Sequence, residues 1–379
     1  MPATYRAAII GQTGAGDYGH GLDTCFQGLE NVTVVAVADP DPAGREAAAR
    51  RSGAEHQFAD YRLMLSHVRP DLVSVAPRWI DRHHEMVLAC CAAGVKGIYC
   101  EKPFARTLRE ADEMLAACRR SGTVLAIAHQ NRALPYLARA RQLIQAGAIG
   151  TPLTLRGRGK DDRRGGALDL IVLGTHTLDQ MRFLAGDPRW AWGHLSRDGR
   201  DATRADVVEG AEGAGPLAGN RLIGCYQFAG NLLGTFESVA TTTSRGQLFG
   251  LVIEGTEGTL TLHGGFRKQM WLRRGHYGWL PEEGMAGWER IRIPEWDLRP
   301  DGTPWSEGEL LQRANQRMIA GLIEAIERGT PHFSSGEDAR WALEMIFAIP
   351  ESHRLGRRVT FPLANRDNPY AMLPARLPT

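Results

Sequence analysis

At 379 residues the chain exceeds what one ordinary hydrophobic core holds, so two domains are expected. Apolar residues make up 43% and charged residues 23%, an ordinary globular balance, and the formal net charge of +2 is too mild to point to nucleic acid or an acidic membrane as a partner. Six cysteines (Cys25, Cys90, Cys91, Cys100, Cys118 and Cys225) show neither C-x-x-C nor His/Cys metal spacing, so no metal is expected and a reducing cytoplasm fits best. Cys90 and Cys91 are neighbours in an apolar, helix-like run, which reads as packing. Met1 to Arg6 runs straight into an apolar strand with no leader pattern, and no apolar run is long enough to span a bilayer. A soluble, cytoplasmic protein is therefore expected.

The first ~130 residues alternate strand and helix patterns, the mark of a parallel α/β sheet. Arg6–Gly11 is an apolar strand entering a Gly-rich turn, and Val32–Ala38 is a second strand ending at Asp39. Asp41 can cap the following helix, Pro42 fits its first turn, and Gly53 lies just past its end. Asp60 can cap the next helix. Strands are expected at Leu72–Ala76, Gly97–Cys100 and Thr123–Ala128, with a short one near Glu55–Phe58. Helices around Arg82–Ala93 and Thr107–Arg120 stop at Gly94 and Gly122.

The character then changes. Pro135–Ala146 reads as a helix ending at Gly147, and Leu168–Leu184 as a second apolar-faced helix. From Trp190 the pattern is β-rich: Leu222–Phe228 with Leu232–Ala240, and Leu248–Glu254 with Thr259–His263, carry hairpin signals. Met270–Arg273 and Arg290–Ile293 add strands, and helices follow near Glu309–Arg328 and Asp338–Leu355. Asp198–Asn220, rich in Gly, Ala and acids, is expected to be a mobile surface loop. Strands clustered between helices predict a sheet covered on one face by helices, whose other face a symmetric partner would cover.

Gly11-Gln-Thr13-Gly14-Ala-Gly16-Asp-Tyr-Gly19 directly follows the first strand. A dinucleotide site needs glycines there for close backbone approach to the pyrophosphate, and a helix N-terminus aimed at its charge. Gly14–Gly19 matches G-x-G-x-x-G, although the loop runs about three residues longer than usual if Gly11 is the first glycine. Asp39 can accept hydrogen bonds from ribose hydroxyls and would repel a 2′-phosphate, favouring NAD over NADP. Its alternative is to begin the turn before Pro40, and Arg45 could offset the preference. At the end of Gly97–Cys100, Glu101-Lys102-Pro103 places a lysine at the edge where open α/β sheets bind ligands; the proline permits a cis peptide.

With these motifs go Pro77 before His83 and His84, Gly147-Ala-Ile-Gly150, Gly174-Thr-His176-Thr-Leu-Asp179, Gly255-Thr-Glu-Gly258 and a closing Arg357-Arg-Val-Thr-Phe-Pro362-Leu. Over nearly its whole length the chain resembles the Gfo/Idh/MocA family, named for glucose–fructose oxidoreductase and inositol dehydrogenase. The resemblance implies an α/β Rossmann domain (parallel sheet) over residues 1–131. It implies an α+β domain over residues 132–379, with a large, mostly antiparallel, open-faced sheet for substrate binding and for a homodimer or homotetramer.

The resemblance also assigns roles. Lys102 and His176 would serve catalysis, His176 as base for a substrate hydroxyl in oxidation or acid in reduction, Lys102 holding the same oxygen. A core histidine is the plainer reading of His176 alone. Many members carry an aspartate one turn before this histidine, where this chain has Val172. Asp169 stands seven residues upstream, roughly 10 Å along a continuous helix. Asp179, three residues downstream, could orient the imidazole or brace the domain. Cofactor contacts would come from Gly11, Thr13, Gly14, Gly16, Gly19, Asp39, Pro77, Glu101 and Lys102. Substrate contacts would come from Lys102, Asn131, Lys160, Asp169 and His176, although the Lys160–Gly166 loop is mostly expected to be solvated. The late tryptophans Trp271, Trp279, Trp288, Trp296 and Trp305 could line a sugar site or an oligomer face, with packing the default.

The leading expectation is hydride transfer between NAD(P) and a hydroxyl or keto carbon of a sugar, inositol or related polyol. A second class would keep NAD bound and cycle it internally, as an epimerase, lyase or glycosidase. A third, a nicotinamide-binding sensor, is expected to have lost Lys102 or His176, and both are present.

Overall fold

The computed structural model describes residues 4–242, 249–265, 269–275 and 287–377. Leu248 and Trp279 lie outside the described residues. The chain divides into two compact units, residues 1–133 with 210–215 and 311–343, and residues 134–209 with 216–310 and 344–379. Residues 311–343, which a single cut after 131 leaves in the C-terminal domain, pack within the first unit.

The first unit holds a six-stranded parallel sheet: β1 (Tyr5–Ile10), β2 (Val32–Ala38), β3 (His56–Phe58), β4 (Leu72–Val75), β5 (Gly97–Cys100) and β6 (Val124–Ile127). The order is β3-β2-β1-β4-β5-β6, which reverses direction at β1/β4. β4 and β5 are buried along their whole length, as expected of strands covered on both faces. The helices α1 (Pro42–Ser52), α2 (Tyr61–Val68), α3 (His83–Ala92) and α4 (Leu108–Ser121) provide the crossovers. Asp41, Asp60 and Thr107 cap α1, α2 and α4 through Gly44, Arg62 and Glu110 N–H groups, and Gly53 and Gly122 end α1 and α4 at positive φ.

One expected element is not formed. Between β1 and β2 the chain makes turns and a single 3₁₀ turn, Gly19–Gly21, instead of a helix. Gly14, Gly16, Asp17, His20, Gly21 and Gly28 all have positive φ, which breaks the segment into short pieces and works against a regular helix. The helix N-terminus that the phosphate argument required is therefore absent from this turn.

The second unit begins with α5 (Pro135–Gln145) and β7 (Pro152–Arg158). The helix expected over 168–184 is interrupted: α6 (Ala167–Asp169) passes through a wide π turn, Leu170–Gly174, into α7 (Thr175–Ala185). Then come β8 (Trp190–Arg197), β9 (Arg200–Asp201), β10 (Val208–Gly210), β11 (Gly215–Leu217), β12 (Arg221–Gln227), β13 (Leu233–Val239), β14 (Gly250–Gly255), β15 (Gly258–His263), β16 (Met270–Arg274) and β17 (Trp288–Ile291). A short α8 (Pro294–Asp297) and β18 (Val359–Thr360) also belong to it, while α9 (Glu307–Arg328) from residue 311 and α10 (Gly336–Leu355) up to residue 343 are part of the first unit. The large sheet runs β17-β16-β15-β14-β7-β13-β12-β8-β18, with β9 on β8. Its pairs are antiparallel apart from β13 with β7.

Helices cover one face of this sheet. Gly193 and Gly224 admit Ile349 of α10, while Gly157 admits Thr177 and Met181 of α7. On the opposite face the ladder aligns Trp192, Cys225, Thr235, Arg156, Val252, Thr261 and Trp271 in one row. Trp192 there is 41% exposed.

Residues 198–220, expected to be a mobile loop, are instead tied down. Ala202, Ala214, Leu217 and Ala218 are buried, Asp206 pairs with Arg200 at 2.6 Å, and the Ala202 carbonyl meets His353 Nε2 at 2.8 Å. Small residues allowed that burial, which a composition rich in Gly and Ala does not announce. Among the described residues no helix is long and apolar enough to cross a membrane, and no cluster of His, Cys, Asp or Glu is arranged to hold a metal.

Candidate active-site elements

The Gly-rich loop folds back on its own unit. A Cβ on Gly11 would lie 2.1 Å from the Tyr18 ring, one on Gly16 2.4 Å from the Trp79 nitrogen, and one on Gly19 2.4 Å from Glu101 Oε1. These glycines therefore permit close approach of protein to protein. Gly14, with φ of 83°, has open space around its Cβ direction. Asp39 is wholly buried: its carboxylate accepts the Thr13 hydroxyl at 2.8 Å, the Thr13 N–H and the Asp41 N–H at 3.0 Å. Arg45 donates to the Asp39 main-chain carbonyl at 2.6 Å rather than to its carboxylate.

Beside this loop, across the C-terminal ends of β1 and β2, runs a groove of about 550 Å³ that opens to solvent. Asp39, Gln12, Tyr61, Arg62, Arg82 and Met86 are among its walls. Gln12 Oε1 is buried there with no hydrogen-bond partner, an acceptor that a ligand amine or hydroxyl would satisfy. Aromatic and apolar walls with the Asp39 and Asp60 carboxylates, the Gln12 amide and the Arg62 and Arg82 guanidinium groups suit the adenosine half of a dinucleotide. Position agrees, since the groove lies at the carboxyl edge of the sheet, next to its switch point.

Glu101 and Lys102 follow β5 and are 0% and 4% exposed. Lys102 N–H donates to Glu101 Oε2 at 2.5 Å, and the Lys102–Pro103 peptide is cis. Burial alone would raise the Glu101 carboxyl. The His20 imidazole against it, with the Lys102 charge and N–H, holds it below its usual range. His20 is in turn placed by Asn315 of α9, whose amide donates to the His20 carbonyl at 2.9 Å and whose oxygen accepts the Tyr99 hydroxyl at 2.8 Å. His83, fully buried, contacts the carbonyl oxygens of Pro77 at 2.7 Å and Pro103 at 2.9 Å. Pro77 and the lysine turn are thereby joined through one imidazole. Asn131 is buried in the 3₁₀ turn Gln130–Arg132 after β6. The first unit thus brings the loop glycines, Thr13, Asp39, Pro77, Glu101, Lys102 and Asn131 into a single compact body.

Lys160, Asp169, His176 and Asp179 belong to the second unit. Gly174 lets α7 approach Phe236, and Thr177 and Met181 face Gly157, so the sheet-facing side of α7 leaves the half-buried His176 about 100° around the helix from Thr177. Asp179 is fully buried. Asp169 lies at the start of the π turn against β13: its Oδ2 accepts the Ser238 hydroxyl at 2.5 Å, while Oδ1 is buried without a partner. Burial raises its carboxyl above the ordinary range, opposed by the Ser238 hydrogen bond. Around half-buried Lys160 several charges are paired while remaining partly exposed, and Arg163 is exposed outright. Arg158 pairs with Asp161 at 2.7 Å and with Glu237 at 3.1 Å, and Arg164 with Asp162 at 2.7 Å.

Sequence reasoning missed Gln12, Tyr18, His20, Asn315 and Ser238, and it noted His83 without finding its role. His20 had a local signal, lying next to Gly19 in the motif. Asn315 and Ser238 had none, because their partners lie far away in sequence.

Comparison with known proteins agrees with this architecture. Residues 5–129 match the model of the Gfo/Idh/MocA oxidoreductase family with NAD-binding Rossmann fold, and residues 137–261 match the Gfo/Idh/MocA C-terminal domain. D-apiose dehydrogenase of Paraburkholderia graminis is 27% identical over 94% of this chain and 89% of its own. Levoglucosan dehydrogenase of Pseudarthrobacter phenanthrenivorans is 30% identical over 61% of this chain and 64% of its own. Inositol 2-dehydrogenase of Klebsiella pneumoniae is 32% identical over 47% and 54%. Among solved structures, levoglucosan dehydrogenase in complex with NADH superposes with a TM-score of 0.73 at 23% identity, covering 95% of this chain and 100% of that one. Both domain models and the shared architecture lead to one assignment: the chain belongs to the Gfo/Idh/MocA family of NAD-binding oxidoreductases.

Proposed function

We propose that this protein is an NAD-dependent dehydrogenase that oxidises a secondary hydroxyl of a sugar, inositol or related polyol, or reduces the corresponding ketone. The observation that carries the reading is the Glu101–Lys102 pair at the carboxyl edge of the sheet, where a lysine 4% exposed stands next to a buried carboxylate kept ionised by its surroundings. Relatives named for D-apiose, levoglucosan and inositol support the substrate class.

NAD, when bound, supplies the hydride acceptor, and its adenosine half would be held by the groove at Gln12, Asp39 and Tyr61. Lys102 Nζ donates to the substrate oxygen and stabilises the negative charge that develops there as the O–H proton leaves. His176 receives that proton on a ring nitrogen and returns it in the reverse direction. Glu101 keeps the cationic Lys102 anchored through its main chain and its charge. Asn131 and Lys160 would contact the remaining hydroxyls. Asp179 would orient the imidazole from the next turn of α7. The mixed open face of the large sheet, with exposed Trp192, supports a homodimer or homotetramer closed through it. Six free thiols, five of them buried, support a reducing, cytoplasmic location.

The test is to follow NADH absorbance while inositols, aldoses, anhydrosugars and glycosides are offered with NAD or NADP. Lys102→Ala and His176→Ala are run beside the parent. Substrate-dependent NADH formation lost in both variants establishes the reading, and turnover surviving in either variant removes that residue from the chemistry.

A further inference from the structure

Five of the six cysteines are buried, but their surroundings differ. Cys25, Cys90 and Cys100 are 0% exposed and burial pushes each thiol far up, while burial also raises Cys225. Cys91, at the end of α3, and Cys118, near the end of α4, stand apart: their sulfurs are 3.5 Å from one another, and the residues remain 7% and 6% exposed. Ser121 and Thr123 bring hydroxyls to the same place, 2.7 Å apart, and Arg120 adds positive charge nearby. We propose that Cys91 and Cys118 form a peroxide-reactive dithiol, an oxidative modification site independent of the dehydrogenase chemistry.

Cys91 is the attacking sulfur. Donation from the Cys118 S–H, assisted by Ser121 and Thr123 and by the Arg120 charge, lowers its thiol against the effect of burial, and the same interaction raises Cys118. The oxidant is a small hydroperoxide. The Cys91 thiolate attacks one peroxide oxygen, the O–O bond breaks, and the departing oxygen takes up a proton as water or alcohol. The Cys118 sulfur then attacks the Cys91 sulfenic sulfur, the S–O bond breaks, and a water leaves with the Cys118 proton. Two thiols are oxidised and one peroxide is reduced. The resulting disulfide joins the ends of α3 and α4; α3 begins at His83, and α4 follows the Lys102–Pro103 turn.

The full chain is treated with hydrogen peroxide, its remaining thiols are alkylated, and peptides are mapped without reductant. Free thiols should fall from six to four, with a Cys91–Cys118 link that dithiothreitol reverses. Cys118→Ser should leave Cys91 as a sulfenic acid captured by dimedone, and Cys91→Ser should abolish the reaction at both positions. Oxidation of Cys225 first, irreversible oxidation of Cys91 without a link, or six surviving thiols would overturn the proposal. The parent map decides by itself if a serine variant does not fold, and none of these readouts requires a substrate.

Discussion

Thr13 and Asp39 are joined twice, the threonine hydroxyl reaching the carboxylate at 2.8 Å and its N–H at 3.0 Å. The acid at the end of β2 therefore holds the Gly-rich loop in place and also contributes to the groove wall. Both jobs depend on its charge. Asp39→Asn should weaken NADH binding and narrow the preference for NADH over NADPH, because the repulsion of a 2′-phosphate is removed. Thr13→Val should cost about 0.5–1.5 kcal/mol of stability through the lost hydroxyl bond, leaving the NADH/NADPH ratio nearly unchanged. Fluorescence titration with both dinucleotides separates the two. An unchanged ratio in Asp39→Asn would show that the carboxylate acts on the loop alone.

Gly19 and Glu101 make the next case. A methyl at Gly19 would sit 2.4 Å from a carboxylate oxygen that is fully buried and held by His20 and Lys102, so it cannot simply swing away. Gly19→Ala should destabilise by about 1–3 kcal/mol and impair turnover by shifting the lysine turn. Gly14→Ala supplies the control: it is strained by its φ but meets no neighbour. Denaturant midpoints together with kcat and KM report the difference, and equal kinetic losses in the two variants would argue against a route through Glu101.

These glycines mark how far the sequence was legible. Strand and helix positions in the first unit followed from local signals, such as Asp41 with Pro42 and Gly53 around α1, because each depends on residues a few places apart. The places of Asp39 just after β2 and of Lys102 just after β5 were readable for the same reason. The missing helix after β1 was not, since a G-x-G-x-x-G pattern looks alike whether its glycines face a pyrophosphate or Tyr18, Trp79 and Glu101. The π turn before His176 was equally hidden, because apolar periodicity does not separate one wide turn from a regular helix. Asn315 lies 216 residues from Tyr99 and 295 from His20, and no local pattern encodes such pairings.

Asn315 should therefore show its importance on removal. It is fully buried, and Asn315→Ala would strand the Tyr99 hydroxyl and the His20 carbonyl in the first unit. A loss of about 1–3 kcal/mol is expected, together with weaker NADH binding as His20 loosens from Glu101. Chemical denaturation and NADH titration of the one variant measure both. A stability loss with intact NADH affinity would confine Asn315 to packing.

Two buried histidines predict how stability responds to acid. His332 Nδ1 accepts the Ser334 N–H at 2.9 Å while Nε2 faces the Met318 carbonyl at 3.1 Å; His353 Nδ1 accepts the Leu195 N–H at 3.2 Å while Nε2 faces the Ala202 carbonyl at 2.8 Å. Each set of partners needs one donor and one acceptor, the neutral ring. Burial lowers both below the ordinary histidine value. The unfolded chain therefore binds protons first as pH falls through about 6.5, and the stabilisation present above that pH is lost below it. Denaturant midpoints should drop from about pH 7.5 to about pH 5.5, less steeply in His332→Asn and in His353→Asn. A histidine variant with the same acid slope as the parent would remove that ring from the account.

Asp169 gives the opposite sign. Its carboxyl is raised by burial, so the folded state prefers the proton, and stability tied to the protonated form is lost as pH rises from the ordinary carboxyl range through the folded value. Asp169→Asn keeps an oxygen for the Ser238 hydroxyl, which now lies 2.5 Å from Oδ2, and removes the charge. The variant should be at least as stable as the parent near pH 7, with the advantage fading below about pH 4. Activity provides the second axis. If Asp169 only fills the space between the π turn and β13, the stable variant keeps its turnover; if it exchanges a proton with substrate, kcat falls and the pH–rate profile loses a limb while the fold gains stability. Melting temperatures across pH, set beside kcat over the same range, distinguish the two. A variant less stable than its parent at neutral pH would contradict the buried-charge argument itself.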